Sequence, residues 1–187
     1  VGMAKEYSLV DEKLVRWHHI AGFIFFLFSV LGGLLFSLQF LNLYPFKTAE
    51  WLSPGRVRMF HTSLIAYGWI VNAFIGGMYY VVPKLTGRPL FSRSLSWLIF
   101  WAWQLIIVLT EVGILAGKAQ GIEWAETPIF VDPLVVLGVV LLIVNIMTPI
   151  LQSRSKPFYV SIWFFIAALV WTPLNYIMGN YLPQFIV

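Results

Sequence analysis

Five apolar runs, near 20–42, 60–82, 95–116, 133–151 and 158–179, dominate this chain of 187 residues. Each is close to the ~20 residues that a helix needs to cross the hydrocarbon core of a bilayer. Backbone exposed to lipid must satisfy its own N–H and C=O groups, so runs of this kind span as helices. The sequence therefore predicts an all-α fold, a polytopic membrane helix bundle of about five transmembrane helices forming a single membrane domain over 1–187. Composition agrees, with 60% hydrophobic and 11% charged residues where a soluble domain carries about 25% charged. The length accommodates one such bundle and no appended soluble domain. With no Cys in the chain, disulfides, thiolate-bound zinc, iron–sulfur clusters and covalent c-type haem attachment are excluded.

The loops orient the bundle. The N-terminal stretch and the loops at 84–94 and 152–157 hold Lys5, Lys13, Arg16, Lys84, Arg88, Arg93, Arg154 and Lys156, while the opposite loops hold Lys47, Arg56, Arg58 and Lys118. The positive-inside rule then puts the N-terminus in the cytoplasm and, after five spans, the C-terminus in the periplasm. Glu50, Glu123, Glu126 and Asp132 all fall in the outer loops. The expected location is the bacterial inner membrane, multi-pass. The first run is too long for a removed signal peptide and lacks a small-residue cleavage site, so it is expected to remain as a helix. The net charge of +4 is carried in short loops and sets topology, so it implies no nucleic-acid partner.

Of three histidines, His61 stands where the second run begins, behind two arginines in GRVRMFHTS. An ionisable residue carried into the bilayer is a functional hypothesis by default, and imidazole is a common ligand of metals and haem iron. On the expected topology His61 lies about one turn inside the outer surface, with Arg56 and Arg58 above it and the loop acids Glu123 and Glu126 on the same side. A haem buried edge-on there would set its propionates among the arginine forks. Calcium bridging propionates and glutamates would relieve their repulsion. The alternative for His61 is a histidine that hydrogen-bonds a neighbouring helix.

Other residues carry weaker signals. Asn72, eleven residues beyond His61, falls on much the same face of a regular helix and is a candidate hydrogen-bonding group in the haem pocket. His18 and His19, beside Arg16 and Trp17, are expected to be interfacial anchors. Glu111 lies inside the third run, where an ionised carboxylate would cost ~2.5–3.5 kcal/mol, so it should be protonated or paired, with Lys118 within reach. Gly32, Gly33, Gly76 and Gly77 would admit a close backbone or porphyrin edge. Pro173 should kink the fifth helix, and Trp69, Trp101, Trp103 and Trp171 read as packing or belt residues.

The run GRVRMFHTS, followed by YGWIVNAFIGGMYYVVPKLTGRPLFS, FWAWQ at 100–104, IEWAETPIFVD at 122–132 and KPFYVSIWFF at 156–165, resembles subunit I of cbb-type cytochrome c oxidases, the C family of haem-copper oxidases. Nitric oxide reductases share much of this layout. The likeness extends from about residue 14 to the end and covers helices one to five. It implies that His61 is an axial ligand of a low-spin haem b, that Arg56 and Arg58 lie near the propionates, and that Glu123 and Glu126 belong to a loop associated with calcium.

The same resemblance implies what the chain lacks. In that family the second low-spin ligand, the high-spin haem ligand, the copper histidines and the cross-linked tyrosine come from helix six onward, beyond GNYLPQFIV, so no copper is expected on this chain. A histidine often found late in the family's helix five is replaced here around Leu174, Asn175 and Tyr176. The expectation is the N-terminal part of a split or fragmentary subunit I, not catalytic alone. It would carry electrons from a cytochrome c-type donor toward a haem-copper centre on partner membrane subunits, which would also supply the second axial ligand. The competing readings are a cytochrome b anchor of a quinone-linked dehydrogenase, a nitric oxide reductase subunit, or a haem-free assembly scaffold. An anchor normally supplies both haem ligands, which one eligible histidine does not allow. A transporter would be expected to show inverted repeats, and none is visible.

Overall fold

The computed structural model describes residues 9–122, 124–153 and 157–183, and among them there are helices and no strand. Lys5, Glu123, Arg154 and Lys156 lie outside the described residues. Five helices are long and apolar enough to cross a membrane, Glu12–Leu41, Pro54–Thr86, Arg93–Leu115, Asp132–Leu151 and Val160–Asn180. The first contains α1 (Glu12–Ser37). The second joins α2 (Pro54–Ser63) to α3 (Val71–Thr86) through wider π-type turns at Leu64–Ile70. The remaining three contain α4 (Arg93–Leu115), α5 (Asp132–Leu151) and α6 (Val160–Tyr176), the last followed by π-type turns at Ile177–Tyr181.

The first two spans begin several residues before their apolar runs, the first through a side-chain cap and the second through a proline. The Asp11 side chain accepts the backbone N–H of Leu14 at 3.2 Å, an N-cap that starts α1 at Glu12. Pro54 occupies the first position of α2, where its missing N–H would have had no intrahelical partner. This early start changes where the histidines sit. His18 is carried almost two turns into α1 and is fully buried, which overturns its reading as an interfacial anchor, whereas His19 is exposed. His61 is the eighth residue of α2, about 10 Å along its axis at 1.5 Å per residue and so deeper than one turn.

Helix α1 packs along the second span with a narrow stripe, Leu14, His18, Gly22, Ser29 and Gly32. These positions recur at intervals of three, four and seven, one face of a helix, and all but Leu14 are small or polar. Small side chains let two backbones approach where lipid offers no hydrophobic drive to association. Gly68, inside the π-type segment, shows the closeness, because a Cβ there would come within 2.8 Å of Cβ of Phe25. The exposed face of α1, including Phe23, Leu27, Leu31 and Leu34, suits lipid or another apolar helix.

The apolar core lies among α3, α4, α5 and α6 and is built on Ile75, Tyr79, Phe100, Ile146, Ile150 and Ile162. A polar hub pins one end of it. Asn145 of α5 donates to the Ser96 hydroxyl at 2.9 Å and the Tyr79 hydroxyl at 3.2 Å, and its Oδ1 accepts the Ser92 N–H at 3.2 Å. At that end the Asp11 carboxylate also pairs with Arg93 at 2.7 Å and accepts Trp97 Nε1–H at 3.2 Å, tying the starts of α1 and α4 together. At the other end, Gly113 faces Pro128 so closely that an added Cβ would collide with the proline ring. Gly113→Ala should therefore displace the loop after α4 and destabilise the bundle by about 1–3 kcal/mol, read as a lower thermal midpoint in detergent. An unchanged midpoint would mean that this loop yields freely.

Candidate functional site

His61 projects from α2 onto α1. Its Nδ1 lies 2.7 Å from the Ser29 carbonyl oxygen and 3.0 Å from Ser29 Oγ, while Ser29 Oγ donates to the His61 carbonyl at 2.6 Å. A carbonyl only accepts, so this bond assigns the proton to Nδ1 and leaves Nε2 with a free lone pair. That is the arrangement by which a backbone carbonyl fixes the tautomer and ring angle of a ligating histidine. The ring stacks over Gly33, where a Cβ would fall 2.8 Å from both Cε1 and Nδ1. Glycine is required there by close approach. A mirror-image contact occurs further along the helix pair, where the His19 ring lies over Gly76 of α3 with 2.8 Å to the same notional Cβ.

The arginines before His61 join α2 to the end of α4. Arg56 Nη1 donates to the Leu115 carbonyl at 3.0 Å, and Nη2 lies against Gly117, whose φ is +76°. The cation thus meets an unpaired carbonyl at a helix C-terminus, where the helix dipole favours positive charge. Arg58 is half-buried three residues before His61, and its carbonyl accepts the Thr62 hydroxyl at 3.1 Å.

The loop after α4 closes the same end. Tyr67 donates to the Trp124 carbonyl at 2.6 Å, and Trp124 adopts the left-handed conformation at φ +64°, a strained choice for a bulky residue that the surrounding bonds must hold. Glu126 is buried at 4% exposure, with its carboxyl within electrostatic reach of Tyr67 and Glu111. Asp132 is fully buried and accepts from Gln120 Nε2 at 2.7 Å and from the Tyr176 hydroxyl at 2.6 Å. Glu123, the other acid expected at a cation, lies outside the described residues. Among the described residues no group of three or more His, Asp or Glu could hold a metal ion, so a cation here would draw on further oxygens, such as carboxylates of a bound group.

His61, Arg56 and Glu126 therefore reach the same end of the bundle, but Asn72 does not join them. Asn72 is fully buried, with Oδ1 3.0 Å from His18 Nδ1 and 3.0 Å from Gln104 Nε2, and its Nδ2 donates to the Gly68 carbonyl at 2.7 Å. Both side chains project onto the same stripe of α1, His61 at Ser29 and Gly33 and Asn72 at His18 and Gly22, so the face expected of a regular helix is kept. What separates them is depth, about 16 Å for eleven residues at 1.5 Å each. Asn72 instead anchors a polar knot linking α1, α3 and α4, with His18 edge-on to Tyr79 and Phe100 at 5.4 and 4.9 Å.

Glu111 is 7% exposed, and neither carboxyl oxygen has a hydrogen-bond partner. The expected pairing with Lys118 does not form. Lys118 is exposed beyond the end of α4, and the cation drawn to that end is Arg56, bound to the backbone. Trp103 is buried and donates to the Tyr67 carbonyl at 3.2 Å, while Trp101 and Trp171 are 64% and 62% exposed, in keeping with packing and belt roles. Ser29 escaped the sequence reading, although its signal was present, because Ser29, Gly32 and Gly33 recur at i, i+3 and i+4 and mark a close helix contact.

The family model described as Cytochrome C and Quinol oxidase polypeptide I matches residues 13–186. The chain is 32% identical over 160 residues to cytochrome c oxidase subunit 1 of Rhodobacter capsulatus, covering 85% of this chain and 30% of that protein. It is 26% identical over 170 residues to the Cbb3-type cytochrome c oxidase subunit CcoN1 of Stutzerimonas stutzeri, covering 90% and 35%. A nitric oxide reductase subunit of Stutzerimonas stutzeri is 30% identical over 111 residues, covering 56% and 22%. The chain thus spans about a third of the length of the first two relatives.

Proposed function

From the premise that this chain belongs to the cytochrome c and quinol oxidase polypeptide I family, we propose that it is the haem b-binding membrane part of a cbb-like terminal oxidase. It is a multi-pass membrane protein by its five apolar helices, and the charge of its loops supports a cytoplasmic N-terminus in a bacterial inner membrane. The observation that carries the proposal is the fixed imidazole of His61, with Nδ1 held by the Ser29 carbonyl at 2.7 Å and Nε2 left to coordinate. When bound, a low-spin haem b supplies reversible one-electron transfer at the iron.

The residues divide the remaining work. His61 would supply one nitrogen to the haem iron, and a histidine outside these 187 residues would supply the other. Arg56 and Arg58 offset the propionate charge from positions five and three residues before His61. The surrounding apolar helices exclude water, and burial of this kind is one of the terms that tune a reduction potential. Glu126, together with Glu123, would contribute oxygens to a calcium at the propionate end of the haem. The partners are the membrane subunits that carry the remaining haem and copper ligands, and a cytochrome c-type donor. The similarity to a nitric oxide reductase subunit supports a second reading, in which the same electron path ends at nitric oxide instead of oxygen.

The reduced-minus-oxidised spectrum of the purified complex, with and without His61→Ala, tests the haem assignment. The calcium is tested separately, because Glu126→Gln should lower bound calcium by about one per complex in metal analysis. Retention of the full calcium content would remove Glu126 from that role.

A further inference from the structure

A cavity of about 420 Å³ lies between α3, α4, α5 and α6, within the size range of pockets that take small organic molecules. Most of its wall is hydrocarbon, including Ile75, Ile107, Val139, Leu142 and Leu169. The polar groups gather at one end, where Ser63, Tyr67, Thr110, Glu111 and Thr127 reach it. Two of its lining residues, Phe74 of α3 and Phe164 of α6, are 65% and 72% exposed, so it borders the lipid-facing surface between these helices.

Glu111 makes this cavity more than a packing defect. It is more than nine-tenths buried, it lines the space, and both of its carboxyl oxygens lack a hydrogen-bond partner. The Ser63 hydroxyl is its polar neighbour but stands outside bonding geometry. Buried polar atoms in folded proteins almost always find partners, so this carboxyl is open to a donor from a bound molecule. Water could satisfy the carboxyl, yet it would leave the apolar remainder unfilled, because apolar cavity walls stay dry or take hydrocarbon. An anionic head is disfavoured by Glu126 within electrostatic reach and by Asp132 at the same end, the latter already engaged by Tyr176 and Gln120.

Depth gives the occupant its orientation. Glu111 is four residues from the end of α4 at Leu115, about 6 Å along the axis, while Met78, Ile99 and Leu142 line the space toward the other end of the bundle. A head at Glu111 would sit near one membrane surface with its tail toward the midplane, as an amphiphile lies in a leaflet. We propose that this cavity binds a single-chain, lipid-soluble amphiphile that enters between α3 and α6 and whose head donates a hydrogen bond to the Glu111 carboxyl. Hydroxyl and ammonium heads share this chemistry. The proposal is independent of the haem assignment.

Photolabelling of the intact complex in lipid nanodiscs tests it, using three diazirine probes of equal chain length: an octanol, an octylamine and a headless octane. In the wild type, the headed probes should label the peptides carrying Phe164, Phe165 and Glu111 about fivefold more than the headless one, the fold-change that a net hydrogen bond of about 1 kcal/mol amounts to. Glu111→Leu should bring all three probes to the headless level. Glu111→Gln keeps an acceptor oxygen, so it should retain octanol labelling and lose any advantage of the amine. The preferred probe in the wild type identifies the head. The reduced-minus-oxidised spectrum of each variant confirms that the complex has assembled, and if Glu111→Leu does not assemble, competition by unlabelled octanol in the wild type takes its place. Equal labelling by headed and headless probes, or no labelling of the cavity because a partner helix fills it, would overturn the proposal.

Discussion

Replacing His61 with alanine should remove one low-spin b-type band from the reduced-minus-oxidised spectrum and lower the haem content of the purified complex by one. In the proposed site the imidazole nitrogen is the ligand, and alanine offers none. The effect should be nearly complete, because the haem would lose one of the two nitrogen ligands that make a b-type haem low-spin. The bundle should survive the change. His61 is half-buried, and its removal leaves Ser29 able to make the intrahelical hydroxyl-to-carbonyl bond usual for serine within a helix. Assembly is checked independently by co-purification of partner subunits and by helical circular dichroism. A variant that assembles and keeps its complete spectrum would assign the haem elsewhere and leave His61 as a histidine that only ties α2 to α1.

The apolar runs made the fold legible, because a bilayer imposes the same requirement on every spanning segment and the requirement is written in length and hydropathy. What hydropathy did not convey is where helices begin. Asp11 and Pro54 start α1 and the second span well before their apolar runs, through a side-chain cap and a proline at the first position. The consequences were functional. His18, beside Arg16 and Trp17 in sequence, looked interfacial but is fully buried against Asn72. Asn72 keeps the face expected of it, toward α1, but lies about 16 Å beyond His61 along the axis and binds His18 there.

The site was legible only as far as residue type carried it. His61, Arg56 and Glu126 are chemically conspicuous in an apolar chain, and the fold brings them to one end. Ser29 and Gly33 are inconspicuous, yet they decide what His61 can do, because orientation is set by the groups a ring touches. Glu111 was recognised as anomalous from its depth alone. Its surroundings could not be read, since the cavity is formed by four helices that contribute to it from positions as far apart as Ser63 and Tyr176.

Gly33→Val should damage the proposed haem site almost as severely as loss of His61 while leaving every candidate ligand atom in place. A Cβ at position 33 would lie 2.8 Å from His61 Cε1 and Nδ1 and 3.2 Å from Nε2. The imidazole is planar and rigid, so it can answer only by turning about its side-chain bonds, which carries Nδ1 away from the Ser29 carbonyl. Loss of such an orienting bond in metal sites costs about 10–100-fold in affinity, and valine adds the steric displacement of the ring to it. The expected result is a low haem-to-protein ratio and a weakened or shifted b-type band. Gly77→Val is the matched control, because a Cβ there meets nothing within 4 Å, and it should retain the spectrum. If both valine variants keep full haem, the ring over Gly33 has freedom that the close packing of α1 and α2 denies it, and Ser29 and Gly33 do not position the ligand. If Gly33→Val alone loses the band, the contact between the two helices sets the axial bond, and the small residues of α1 become part of the haem site without touching iron.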